Sequence, residues 1–181
     1  MEPVLEKLSG GDRRSFGRAN EVVTDILNDP ALFPLVFEGM LDNDPVIRMR
    51  AADVVEKVTS QHPEWLQPYK QRLLRELAAI EQPEVRWHLA QILARLDLNG
   101  NERGSAVQIL LGYIQEKNSI VRTFAMQSLV DITKHDPELR LMVIGLMESL
   151  IYEGTPAMKT RGSKLLEQMR KEESNQNEHT T

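Results

Sequence analysis

Asp44-Pro45-Val46-Ile47-Arg48 is a fragment that returns along the chain. It comes back as Gln82-Pro83-Glu84-Val85-Arg86, as Asn118-Ser119-Ile120-Val121-Arg122 and, more loosely, as Thr155-Pro156-Ala157-Met158-Lys159. The basic residues closing successive copies are 38, 36 and 37 positions apart. A period in this range is the mark of stacked helical units, none of which can bury its apolar face alone.

The residues after each fragment repeat one pattern. Ile47, Ala51, Val54, Val55 and Val58 fall at steps of three and four. So do Val85, Leu89, Ile92, Leu93 and Leu96, then Val121, Ala125, Leu129 and Ile132, then Met158, Leu165, Leu166 and Met169. Such spacing draws one apolar stripe along an α-helix. A degenerate earlier copy, Ala19, Val22, Val23 and Ile26, follows Asp12. Asp44-Pro45 and Thr155-Pro156 put a capping side chain before a proline at the first helical position, and Asp29-Pro30 and Asp136-Pro137 do so for the helices in between. Those intervening stretches, 32–41, 66–80, 107–114 and 139–151, are themselves apolar or amphipathic. With no period-2 alternation, the pattern predicts an all-α array of helical hairpins.

The run Asp-Pro-x-x-Arg, with Ile47 before Arg48 and Ala51 after it, resembles the second helix of a HEAT repeat. Val85-Arg86 and Val121-Arg122-Ala125 match well, Met158-Lys159-Gly162 loosely, and Pro34 and Pro68 suit a bent first helix. The resemblance covers residues 30 to 170 and departs at Phe16 and Lys159, which take the arginine position, as capping repeats would show. It implies a right-handed α–α superhelix of four to five hairpins in one domain, 1–171, with second helices near 11–28, 45–60, 83–98, 119–135 and 156–171. Residues 172–181 lack apolar side chains and read as a disordered tail. The family further implies a scaffold binding a partner protein on its concave face. It also implies that Arg48, Arg86, Arg122 and Lys159 form a structural ladder with polar groups such as Asp44, Gln82 and Asn118, in preference to a row of phosphate-binding cations.

If second helices line the inner face, a turn of about 100° per residue decides which side chains point outward. Two positions after the apolar residue come Met49, Trp87, Thr123 and Thr160; six positions after it come Asp53, Gln91, Gln127 and Lys164. With Arg50, His88 and Met126 nearby, these make a candidate binding ridge: Met49, Arg50, Asp53, Trp87, His88, Gln91, Thr123, Gln127 and Lys164. Trp87 is the expected anchor, because an indole is costly to leave wet and is enriched at interface hot spots. The competing expectation packs Trp87 on a neighbouring repeat.

Composition narrows the chemistry. The net charge of −5 argues against general charge-driven binding to nucleic acid. Second helices are more basic than first helices, but most of that excess lies in residues 156–171. There is no cysteine, which excludes disulfides and thiolate chemistry and fits a cytoplasmic location. No apolar run approaches the roughly 20 residues of a membrane span, and the first residues do not read as a secretory signal. His62, His88, His135 and His179 have no partner at metal-ligand spacing, and no phosphate loop, nucleophile elbow or calcium loop is present. No metal, cofactor or catalytic role is expected. Leu98-Asn99-Gly100-Asn101 reads as a turn ending one helix at Gly100 and capping the next with Asn101, and Gly39 and Gly112 read as sites of close helix packing. Two minority readings remain: a HEAT-like alkylpurine DNA glycosylase using Trp87, Arg50, Asp53 and Lys164, and a phycobilin-lyase-like accessory repeat.

Overall fold

The computed structural model describes residues 2–12 and 15–178, with the side chains up to residue 174. Among the described residues there are helices and turns and no strand. The chain forms two compact units, residues 1–102 and 103–181.

The first unit holds α1 (Pro3–Glu6), α2 (Ala19–Asn28), α3 (Phe33–Gly39), α4 (Pro45–Thr59), α5 (Lys70–Arg75) and α6 (Pro83–Leu93). The helix α4 is its centre, packed against α2, α3 and α6. Ile47, Ala51, Val54, Val55 and Val58 are fully buried there with Val22, Ile26, Val36, Phe37, Leu89 and Ile92. Each large aliphatic side chain so removed from water contributes roughly 1.5–3 kcal/mol before entropy is counted. On α3 Phe33 meets Trp65 and Tyr69 edge-on, with ring centroids 5.5 and 5.8 Å apart, while Phe37 lies 4.1 Å from Tyr69. The stretch expected as one helix from Leu66 to Ile80 is broken into 3-10 turns (Pro63–Tyr69, Leu77–Ala79) flanking α5. Pro68 cannot donate a backbone hydrogen bond, so the continuous α ladder begins only after it.

The second unit contains α8 (Ser119–Ile132), α9 (Pro137–Glu153) and α10 (Pro156–Glu178); the division between units falls in the first turn of α7 (Gly100–Ile114). The helix α10 packs on both α9 and α8. Val121, Ala125, Met126 and Leu129 of α8 are buried, as are Val143 and Met147 of α9 and Leu165, Leu166 and Met169 of α10. The last helix continues past residue 171, where the sequence placed the start of a disordered tail. Glu172 receives a charge-assisted bond from Arg140 at 3.3 Å and Glu173 lies 3.5 Å from the same guanidinium, so polar residues of the extra turns are tied to α9. Residues 179–181 of that tail lie outside the described residues.

The caps explain the helix starts. Asp44 accepts from the amide of Val46 at 2.8 Å, Asn118 from Ile120 at 2.9 Å, Asp136 from Leu139 at 3.1 Å and Asp29 from Ala31 at 3.2 Å. At the 98–101 turn the sequence misplaces the boundary by two residues. Asn99, not Asn101, is the cap: its side chain accepts from the Glu102 amide and the Glu102 carboxylate accepts from the Asn99 amide, both at 3.0 Å. A Cβ on Gly39 would lie 2.8 Å from Leu5 Cδ2 and 3.1 Å from Ala51 Cβ, so close packing of α3 on α4 does require glycine. Gly112 is exposed with nothing within 4 Å, and close packing does not explain it.

The four basic residues of the repeat share one task. Each reaches back to a carbonyl ending the preceding segment: Arg48 to Asp42 at 2.7 Å, Arg86 to Ile80 at 2.9 Å, Arg122 to Lys117 at 3.2 Å and Lys159 to Tyr152 at 2.7 Å. These cations satisfy acceptors that a helix or turn end leaves open. Arg48 also donates to Gln82 Oε1 of the following copy at 3.0 Å, while Gln82 Nε2 donates to the Pro45 carbonyl at 2.8 Å. Arg122 similarly touches the Met158 sulfur of the next copy at 3.4 Å. Asp44 and Asn118, the other expected rungs, cap their own helices instead. Replacing Arg48 with Met is expected to cost about 1–2 kcal/mol in urea unfolding. Gln82→Leu should cost less when Arg48 is already gone, giving a non-additive double-mutant cycle; strict additivity would refute the link.

Candidate functional site

In the first unit α2, α4 and α6 carry a polar strip, and its deepest members are locked. Arg50 is only 2% exposed. Its guanidinium donates to five carbonyls of the segment before α2: Leu8 at 2.9 Å, Ser9 at 3.1 Å, Gly10 at 2.8 Å, Asp12 at 3.2 Å and Ser15 at 3.0 Å. Gly17, at φ +51°, passes so close that a Cβ there would sit 2.8 Å from the guanidinium carbon. Arg50 therefore fastens the chain's first loop and is not available to a phosphate or a partner. Met49 (7% exposed), Asp53 (4%) and His88 (8%) are buried as well. The ridge expected from helical periodicity is thus covered on α4, because α4 has a helix on either flank and residues 8–12 and 15–17 near its first turns. Placing Arg50 and Asp53 as DNA-contacting groups is corrected on the same ground.

What surrounds Asp53 is a small charged cluster. Lys57 Nζ donates to Asp53 Oδ2 at 2.8 Å and to Asn20 Oδ1 at 2.9 Å. His88 Nε2 stands 3.9 Å from Asp53 Oδ1, too far for a hydrogen bond, and its buried Nδ1 has no partner among the described residues. Burial raises the Asp53 carboxyl above its ordinary range, opposed by the Lys57 ammonium. Burial, with repulsion from Lys57 and Arg95, pushes the His88 imidazole down to about 3, so it is neutral at physiological pH.

Above this cluster lie the surface members. Phe16 is 63% exposed, with the Lys57 ammonium 5.2 Å from its ring centroid, a cation–π contact. Trp87 is half-buried; its ring centre is 5.7 Å from that of His88, and its carbonyl accepts from Gln91 at 3.2 Å. Phe16 is thus linked through Lys57 and Asp53 to His88 and Trp87, with a partly exposed aromatic at each end. Trp87 and His88 come together as the sequence indicates. Phe16 was noticed only as a departure from the repeat; its signal was a lone aromatic in a loop of Gly and Ser.

The remaining ridge residues lie in the second unit. A groove of about 440 Å³ is lined by Thr123 of α8 and by Pro156, Ala157, Thr160, Arg161 and Lys164 of α10. Gln127 borders it by accepting from Arg161 and donating to Asp131 at 2.8 Å. Here Thr123 and Gln127 are half-buried and Lys164 is exposed, in line with the periodicity. Arg161 was missed, although it falls two residues after the ladder position, where the first copy carries Arg50.

Repeated hairpins of capped, amphipathic helices, with a basic residue closing each turn, define a helical-repeat protein. The model of the HEAT repeat domain matches residues 6–169, and the chain belongs to that family. No curated protein and no solved structure matches the chain. No helix among the described residues is long and apolar enough to cross a membrane. Among the same residues no group of three or more His, Asp or Glu side chains is placed to hold a metal ion.

Proposed function

We propose that this HEAT-repeat chain is a non-catalytic scaffold that binds a partner protein through the Phe16–Lys57–Trp87 strip. The observation that supports this most is that each of two partly exposed aromatics sits beside the same buried polar base, Phe16 through Lys57 and Trp87 through the His88 ring. Aromatic side chains offer large contact area at low entropic cost, and a rigid base means little of that is spent on ordering. Family membership adds the general expectation, since HEAT repeats are helical scaffolds that often mediate protein interactions.

The test is affinity capture from the cell of origin, followed by titration of the purified partner. Trp87→Ala and Phe16→Ala are each expected to weaken capture by at least about tenfold, on the scale of an interface hot spot. Phe16 is mostly exposed, so its loss should leave the thermal transition unchanged and separate binding from folding. A partner held equally well by both variants would sink the proposal. Duplex DNA at about 50 mM salt, where phosphate-driven affinity is strong, is expected not to bind.

A further inference from the structure

We propose that the groove between α8 and α10 is a second docking site, and that its ligand is an acidic peptide segment. The lining carries two cations, Arg161 and Lys164, and no carboxylate. Neither cation is in an ion pair among the described residues, although the chain as a whole carries a net charge of −5. Arg161 spends one N–H on Gln127, and its buried Nε has no acceptor among the described residues. A carboxylate is the acceptor that guanidinium and ammonium groups bind most strongly, through charge-assisted hydrogen bonds.

The neutral groups of the groove sharpen the choice of ligand. The Thr123 hydroxyl donates to the Ser119 carbonyl at 2.8 Å and the Thr160 hydroxyl to the Pro156 carbonyl at 3.0 Å. Their protons are committed, so the donors left for a ligand are cationic, and they favour anionic over neutral acceptors. The first turn of α10, which the groove includes at Pro156 and Ala157, adds the partial positive charge of a long helix. Two cations are too few for a nucleic acid, whose sequence-independent affinity needs several phosphate contacts. No aromatic lines the groove to stack a base. A short run of Asp or Glu matches what remains.

The experiment uses the full chain and a fluorescein-labelled octaglutamate peptide, read by anisotropy at about 20 mM salt, where screening is weak. Binding is expected, falling as salt is raised, and Lys164→Glu should weaken it by roughly tenfold or more through reversal of one contact charge. Lys164 is exposed, so this variant should melt with the parent; Arg161→Gln is the second variant and should weaken binding in the same direction. Phe16→Ala and Trp87→Ala should bind the peptide normally, which keeps this site distinct from the aromatic strip. Absence of binding by the parent, or equal binding by parent and Lys164→Glu, would overturn the proposal. Equal affinity for oligothymidylate would overturn the peptide assignment.

Discussion

Replacing Arg50 with methionine is expected to remove about 3 kcal/mol of unfolding free energy. The side chain is buried, makes five hydrogen bonds to main-chain carbonyls, and is in no ion pair among the described residues. A bond from a charged donor is worth roughly 1.5–3 kcal/mol when measured singly. Some freed carbonyls lie near the surface and will turn to water, which keeps the total well below five times that figure. Arg50→Lys should lose most of the same stability, because one ammonium cannot reach acceptors spread around a planar fork. Urea denaturation measures the loss, and hydrogen exchange should show residues 8–18 opening before the rest of the unit. A loss below about 1 kcal/mol would mean that the loop holds itself in place.

The second large effect is a pH dependence centred on His88. Its folded pKa is about 3, against 6.5 for an ordinary histidine. As pH falls below 6.5 the unfolded chain takes up this proton and the native protein does not. Stability is therefore lost with acidification from 6.5 toward 3, at about 1.4 kcal/mol per pH unit. Between pH 7.5 and 5 the expected loss is on the order of 2 kcal/mol, and His88→Leu should abolish it. Three charged groups face the imidazole: Lys57 and Asp53 from α4 and Arg95 just beyond the end of α6. Asp53 works in the opposite sense, since its raised pKa makes the native protein accept a proton earlier. The variant separates the two, since His88→Leu removes the histidine's proton uptake and leaves the carboxyl of Asp53 in place. Parallel stability curves for parent and variant across that window would refute the assignment.

The fold was legible because its signals are local. Asp44-Pro45, Asn118 and Asp136-Pro137 act within three residues of themselves, and a capping hydrogen bond needs nothing from the rest of the chain. The apolar stripe beginning at Ile47 is buried as its spacing requires. The site was less legible because exposure is not a local property. Helical periodicity assigns each helix one buried side, and that assumption serves Thr123, Gln127 and Lys164, which border a groove. It fails for Met49, Arg50 and Asp53, since a helix with neighbours on both flanks has little free side left. Phe16 escaped notice for a related reason. Its place beside Lys57 depends on a loop held by Arg50, a contact bridging more than 30 residues that no motif spells out.

The covering of α4 bears on how such a chain can acquire new specificity. Changes at Met49, Arg50 or Asp53 disturb packing before they touch any ligand, so random variation there is filtered by folding. Half-covered or open positions such as Gln91, Thr123, Thr160 and Lys164 tolerate exchange at little structural cost. A library aimed at a new partner should leave the central helix intact and diversify α6 within the first unit and α8 and α10 within the second.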